Sequence, residues 1–252
     1  MIEFQGIHKS FGKRVILNGL SLKVEKGRIQ FIIGTSGAGK SVLVKQLVGL
    51  IRPDQGTIWL DGENITNLSE RQFYRVRKRC ALVFQHATLF DSMTLLENVS
   101  LPLRKHRSWT PAEVRKKAME RLEQVQMHRD ADRYPGDIGD GLRKRVAIAR
   151  GLALEPEYMI FDEPTTALDP LAASNVDRLI RQLSDDFGVT SIVVSHDLRS
   201  IFKVADRIAM LYKGGVLLEG TPDDFRQTKD AVVRQFIEGR ATGPMEFPRI
   251  GD

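Results

Sequence analysis

Gly34-Thr35-Ser36-Gly37-Ala38-Gly39-Lys40-Ser41 decides how this chain is read. The octet matches G-x-x-x-x-G-K-[ST] in full. It follows the short apolar run Ile29–Ile33 and opens a helical pattern at Lys40–Leu50, with Val42, Leu43, Leu47 and Val48 on one face. Glycines let the main chain curl so that successive N–H groups point at phosphate oxygens, and the helix N-terminus adds partial positive charge. In such a loop Lys40 reaches the β- and γ-phosphates of a nucleotide, and the Ser41 hydroxyl suits Mg²⁺.

Outward from the loop, the chain alternates strands with helices. Ile2-Glu3-Phe4 starts a strand, and Val15-Ile16-Leu17 and Leu22-Lys23-Val24 flank Asn18-Gly19, which reads as a turn. Gly56–Leu60 is a further strand closed by the turn Asp61-Gly62. From about Leu89 to Leu154 the pattern is helical; Thr110-Pro111-Ala112-Glu113 is a capping box whose helix runs to about Val125. Strands return at Tyr158–Phe161, Ser191–Val194 and Arg207–Leu211, with a long helix at about Leu171–Phe187. Tyr212–Val216 reads as a hairpin, and Thr221-Pro222-Asp223-Asp224 opens a capped helix. The fold class is α/β with a mainly parallel sheet, an N-terminal antiparallel β portion and an inserted helical lobe at about 89–155.

Composition fits this. The 252 residues are 42% hydrophobic and 28% charged, enough for a proper core. Lys+Arg is 38 against Asp+Glu 32, a net charge of +6. That excess suits an anionic small molecule, a membrane face or a nucleic acid, and selects none. A single cysteine, Cys80, excludes an intrachain disulfide framework and a Cys-based zinc site. No apolar run approaches the roughly 18 residues of a membrane span, and the N-terminus does not read as a signal peptide. A cytoplasmic protein that meets a membrane through a partner is expected. Basic clusters at Arg71, Arg75, Arg77, Lys78 and Arg79 and at Arg143, Lys144 and Arg145 come with no nucleic-acid motif or aromatic platform. They read as solvated faces, with a partner's docking rim or an anionic membrane surface as alternatives.

Three more strand ends carry polar groups, where open α/β sheets place ligands. Tyr158–Phe161 runs into Asp162, suited to a magnesium shell, and Glu163, suited to a base acting on water. Ser191–Ser195 runs into His196, and Ala81–Phe84 into Gln85, whose amide oxygen suits Mg²⁺ or water.

This order of phosphate loop, Gln85, a glycine-rich segment near 138–142, Asp162-Glu163, Ala167-Leu168-Asp169 and His196 resembles the nucleotide-binding subunit of an ATP-binding cassette (ABC) transporter over essentially residues 1–240. The resemblance implies a RecA-like P-loop core and hydrolysis of ATP with Mg²⁺. It implies a homodimer with two ATP molecules between subunits, and an integral-membrane permease as partner. It makes Phe11 the aromatic that stacks on adenine, Gln85 the Q-loop, and Leu168-Asp169 the D-loop. Glu163, His196 and Lys40 become the catalytic set, and Ser41, Gln85 and Asp162 the metal set. The stretches Gln85–Ser92, Leu142–Ala147, Gln235–Gly239 and Gly243–Phe247 resemble the ATPases of Mla-type systems, which move lipids with MCE-domain proteins. This places the chain at the cytoplasmic face of the inner membrane, with no nucleic-acid partner. The tail 241–252 then reads either as a frayed end or as a segment packed on the opposite subunit.

One segment departs from the family. Where it carries Leu-Ser-Gly-Gly, this chain reads Ile138-Gly139-Asp140-Gly141. Gly139 lacks the hydroxyl that holds the other subunit's γ-phosphate, and Asp140 sets a carboxylate toward a polyanion. At about 4 Å and an effective dielectric of about 20, one like-charge pair costs about 4 kcal/mol. Alternatively, Asp140 points outward or is neutralised by Arg143 or Lys144. A second reading is therefore a nucleotide-binding regulatory subunit that hardly hydrolyses. A DNA-repair or translation ATPase would need a coiled-coil insertion or a second cassette, which 252 residues do not hold.

Overall fold

The computed structural model describes residues 1–106 and 108–245, which divide into two compact units. The first takes in Met1–Ser69 and the described residues from Val194 onward, the second the described residues of Glu70–Val193.

The first unit opens with β1 (Ile2–Phe11) and β2 (Arg14–Val24), then β3 (Ile29–Ile33), α1 (Lys40–Leu47), β4 (Gln55–Leu60) and β5 (Glu63–Asn64). β1 pairs antiparallel with both β2 and β4, and Ile2, Phe4, Ile7, Leu20, Leu22, Ile58 and Leu60 face inward. The reversal between β1 and β2 falls at Gly12-Lys13 rather than at Asn18-Gly19. Gly19 (φ 69°) lies inside β2 where the register against β1 slips, and the Asn18 N–H donates to the Gly214 carbonyl at 2.8 Å. The Asn-Gly pair thus serves a bulge, which needs the same left-handed backbone as a turn. Asp61-Gly62 does make the expected turn, with β4 antiparallel to β5.

The second unit holds α2 (Glu70–Arg79), β6 (Cys80–Val83), α3 (Leu95–His106), α4 (Pro111–Gln124), α5 (Asp140–Leu152), β7 (Tyr158–Asp162), α6 (Pro170–Phe187) and β8 (Thr190–Val194). β6 and β7 are parallel in register Cys80↔Tyr158, and β7 lies between β6 and β8. Every residue of β7 and β8 is buried, which is why these strands read as unbroken apolar runs. α2 was not expected: it buries only Phe73 and Val76 under a basic surface, with Arg79 on Glu157 at 2.6 Å. The capping box of α4 forms as read, Thr110 and Glu113 bonding reciprocally. The helical run begins at Leu95, six residues later than the pattern suggested. Asn98 holds the preceding loop, its amide donating to the Phe90, Met93 and Thr94 carbonyls at 3.1, 3.1 and 3.0 Å.

The chain then returns to the first unit through α7 (Leu198–Val204), β9 (Arg207–Tyr212), β10 (Gly215–Gly220), α8 (Pro222–Gln227) and α9 (Ala231–Glu238). β3 runs parallel to β9 in register Gln30↔Arg207, and β10 closes the expected hairpin on β9. Beyond α9 the chain folds back. Gln235, buried, accepts from the Met245 N–H at 2.7 Å and donates to the Arg240 carbonyl at 3.4 Å, and Met245 is buried. Residues 241–245 are therefore not frayed; the remaining residues of the tail lie outside those described.

Candidate functional site

Two groups of candidate side chains are built, one in each unit. In the first, the loop 34–39 leaves β3 and enters α1. Gly34 (φ 141°) touches the neighbouring strand so closely that a Cβ there would sit 2.4 Å from the Leu211 carbonyl oxygen. Gly39 (φ 95°) is the N-cap of α1, and a Cβ there would meet Leu17 Cδ2 at 2.6 Å. These two positions admit glycine for physical reasons, and the loop they shape presents a helix N-terminus. Lys40 is buried and curls back over the loop, Nζ donating to the carbonyls of Gly34 and Thr35 at 2.9 and 3.0 Å. Ser41 follows at the first turn of α1, half-buried, while Ser36 and Gly37 are exposed and Thr35 and Ala38 half-buried.

His196 belongs to the same group. The Ser195 N–H donates to the Ile32 carbonyl at 3.3 Å, which brings the segment carrying His196 beside the strand that feeds the loop. Asp197 caps α7 by accepting from the Arg199 and Ser200 N–H groups, so exposed His196 is fixed between a strand end and a helix cap. Phe11 is 50% exposed at the end of β1, so it is not a core aromatic. The Lys9 ammonium lies 5.4 Å from its ring centre, and Asp54 holds Lys9 at 2.7 Å.

The second group gathers around α5. Asp162 ends β7 and is buried. Glu163 follows in a left-handed conformation (φ 54°), which turns it out of the strand, and the Thr166 hydroxyl donates to its carboxylate at 3.2 Å. Lys144, on α5, is 4% exposed and donates to the main-chain carbonyls of Gln85 and Glu163, the latter at 3.4 Å. Burial lowers its pKa against the opposing pull of Asp140, Asp162 and Glu163. Arg150, two turns on, donates to the Ala87 and Thr88 carbonyls at 3.1 and 2.9 Å, holding the loop after Gln85. Within the run Arg143–Arg145, then, Lys144 is not on a solvated face. The basic run carries no mark of the burial of Lys144, and nothing in the sequence ties Arg150 or Thr166 to these loops.

Gly139, Asp140 and Gly141 start α5. Gly139 is the N-cap with extended backbone and no side-chain cap, and a Cβ there would meet nothing within 4 Å. Asp140 stands in the first turn, where an acid complements the helix dipole, and its side chain is 67% exposed. Arg143 lies 3.4 Å from it and is anchored through Nε on the Pro135 carbonyl at 2.8 Å. Within the chain Asp140 thus points outward and is partnered by Arg143. Gly141 has a packing reason: a Cβ there would press on Ala172 Cβ of α6 at 2.9 Å.

A cavity of about 600 Å³ opens in the second unit, floored by Leu82, Leu101 and Pro102 and rimmed by Arg77, Lys78 and Lys105.

The family model for the ABC transporter matches residues 17–166, which include the phosphate loop, Gln85, the Gly139–Gly141 segment and Asp162-Glu163. The chain belongs to the ABC transporter family. As its ATP-binding subunit it is an ABC-type ATPase. It is 37% identical to the intermembrane phospholipid transport system ATP-binding protein MlaF of Haemophilus influenzae, over 98% of this chain and 94% of that one. It is 36% identical to the probable ribonucleotide transport ATP-binding protein mkl of Mycobacterium leprae, over 97% of this chain and 70% of that one. Among solved structures, a dimeric ATP-binding cassette in a post-hydrolysis state bound to ADP and Pi superposes with a TM-score of 0.81 at 31% identity, covering 88% of this chain and 99% of that one. A cassette of the cbiONQ transporter of Clostridium perfringens gives 0.83 at 26% identity, covering 95% of each chain. The ABC fold assignment thus agrees with the α/β reading of the sequence.

Proposed function

We propose that this ABC ATPase hydrolyses ATP with Mg²⁺ as one half of a homodimer and powers a permease that moves phospholipid together with an MCE-domain protein. The carrying observation is near full-length similarity to a phospholipid-transport ATPase, joined to a phosphate loop in which Lys40 already sits over Gly34 and Thr35.

The residue roles follow. Gly34–Gly39 supply N–H groups to phosphate oxygens, Lys40 balances β/γ charge, Phe11 stacks on adenine, and His196 contacts the γ-phosphate. Glu163 orients or deprotonates the attacking water, steadied by the Thr166 hydroxyl. Ser41, Gln85 and Asp162 offer hydroxyl, amide and carboxylate oxygens, hard donors that suit Mg²⁺. Among the described residues no group of three or more His, Cys, Asp or Glu side chains could hold a metal. When bound, the ion supplies charge neutralisation at the β- and γ-oxygens; positioning by the protein does the rest. Gly139, Asp140 and Gly141 lie toward the other subunit's nucleotide, and the cavity rimmed by Arg77, Lys78 and Lys105 receives the permease. No described helix is long and apolar enough to cross a membrane, and the subunit works peripherally at the cytoplasmic face of the inner membrane.

Purification of the full chain from host membranes tests this. A polytopic permease and an MCE-domain protein should accompany it, and the complex should move fluorescent phospholipid between vesicles in an ATP-dependent manner. A complex whose ATPase responds to ribonucleotides and not to phospholipid overturns the lipid assignment.

A further inference from the structure

Lys144 occupies a place that a hydrocarbon side chain would fill at lower desolvation cost. Its ammonium is almost wholly removed from water, and a buried cation persists where its donors have fixed acceptors. Two of those acceptors are main-chain carbonyls on different loops, Gln85 after β6 and Glu163 after β7. The stem that carries the ammonium begins one turn into α5, the helix opened by Gly139-Asp140-Gly141. Arg150 of the same helix grips the next part of the first loop through Ala87 and Thr88. Both Ala87 and Thr88 are left-handed, so that loop depends on external donors for its shape.

We propose that Lys144 is a positioning residue that ties the Gln85 loop and the Glu163 main chain to helix α5, so that all three keep one geometry during hydrolysis. This rests on the ATPase reading of Glu163. A displacement at the start of α5 is thereby carried to the carbonyl of the residue that prepares water. Lys144 acts through the main-chain carbonyls it holds.

The test is steady-state ATPase of the full chain with MgATP, comparing wild type, Lys144→Met, Lys144→Arg and Glu163→Gln, each with its melting temperature. Lys144→Met fills the same volume without a donor. It should lower kcat on the order of 10- to 100-fold, as small misplacements of reacting groups do, while KM for ATP stays within about threefold. Lys144→Arg, which keeps charged donors, should recover most of the loss. Should Lys144→Met melt below the assay temperature, Lys144→Gln, with one amide donor, is read by the same criteria. Wild-type kcat in the Met or Gln variant, or loss that Arg does not recover, overturns the proposal. An unaffected Glu163→Gln variant would instead overturn the reading of Glu163 itself, so the two failures are distinguishable.

Discussion

The Thr166 hydroxyl reaches back three residues to donate to the Glu163 carboxylate at 3.2 Å. A carboxylate that must act on water in one direction gains from such a fixed donor. On the proposed reading of Glu163 as the base, removing that donor costs orientation and leaves the base in place. Thr166→Val should lower kcat about three- to tenfold, the worth of one hydrogen bond, and leave ATP binding unchanged. Glu163→Gln should bind MgATP and hardly turn over. Equal kcat in Thr166→Val and wild type would show that the carboxylate is oriented by other contacts.

Lys40 donates to the loop's own carbonyls, and the proposed function gives it a second duty as cation for phosphate. Lys40→Ala should therefore abolish nucleotide binding or weaken it severely, measured by calorimetry with MgATP. Near wild-type affinity would remove the phosphate-loop assignment.

Gly139 and Asp140 give opposed expectations for stability and turnover. A serine fits at 139, where nothing approaches within 4 Å of a Cβ. Asp140→Gly removes a first-turn acid and its pairing with Arg143, which should cost about 1 kcal/mol of stability. The double variant Gly139→Ser, Asp140→Gly should nonetheless turn over faster and form more ATP-dependent dimer at matched concentration. A less stable protein with no gain in either would show that Asp140 serves only its own helix.

Asp54 anchors the end of β1 that bears Phe11. Its carboxylate accepts from Lys9 Nζ and from the Ser10 N–H, each at 2.7 Å. The Lys9 bond, then the Ser10 N–H, holds its pKa below the ordinary carboxylate value. A carboxylate depressed by folding contributes stability above its unfolded pKa, about 4, and loses it as pH falls through the folded value. Denaturation of wild type and Asp54→Asn should thus differ at neutral pH and converge in acid. A difference that persists below both pKa values would assign the effect to packing.

The geometry of the loop at 34–41 was legible because its demands are local: glycine where the backbone turns left-handed or meets a strand, and a helix opening at Lys40. The strand ends at Asp162 and His196 were legible for a similar reason, since fully buried strands read as uninterrupted apolar runs. Helix α2 was not, because only Phe73 and Val76 face inward and two apolar residues set no period. Asn18-Gly19 misled because a bulge and a turn ask for the same residues. Lys144 was hidden for the deepest reason: its burial is made by loops that are 59 and 19 residues away in sequence.

The fold-back onto α9 bears on how this protein is handled. Helical periodicity stops at Gly239, the left-handed C-cap, which invites a truncation or an affinity tag at that point. Such a cut would remove the Met245 N–H from Gln235 and uncover the face that Met245 shields. A buried carboxamide left without its donor costs about 1–3 kcal/mol. Fusions that keep the chain through Met245 should express as stable material, while those ending at Gly239 should yield a protein prone to clump.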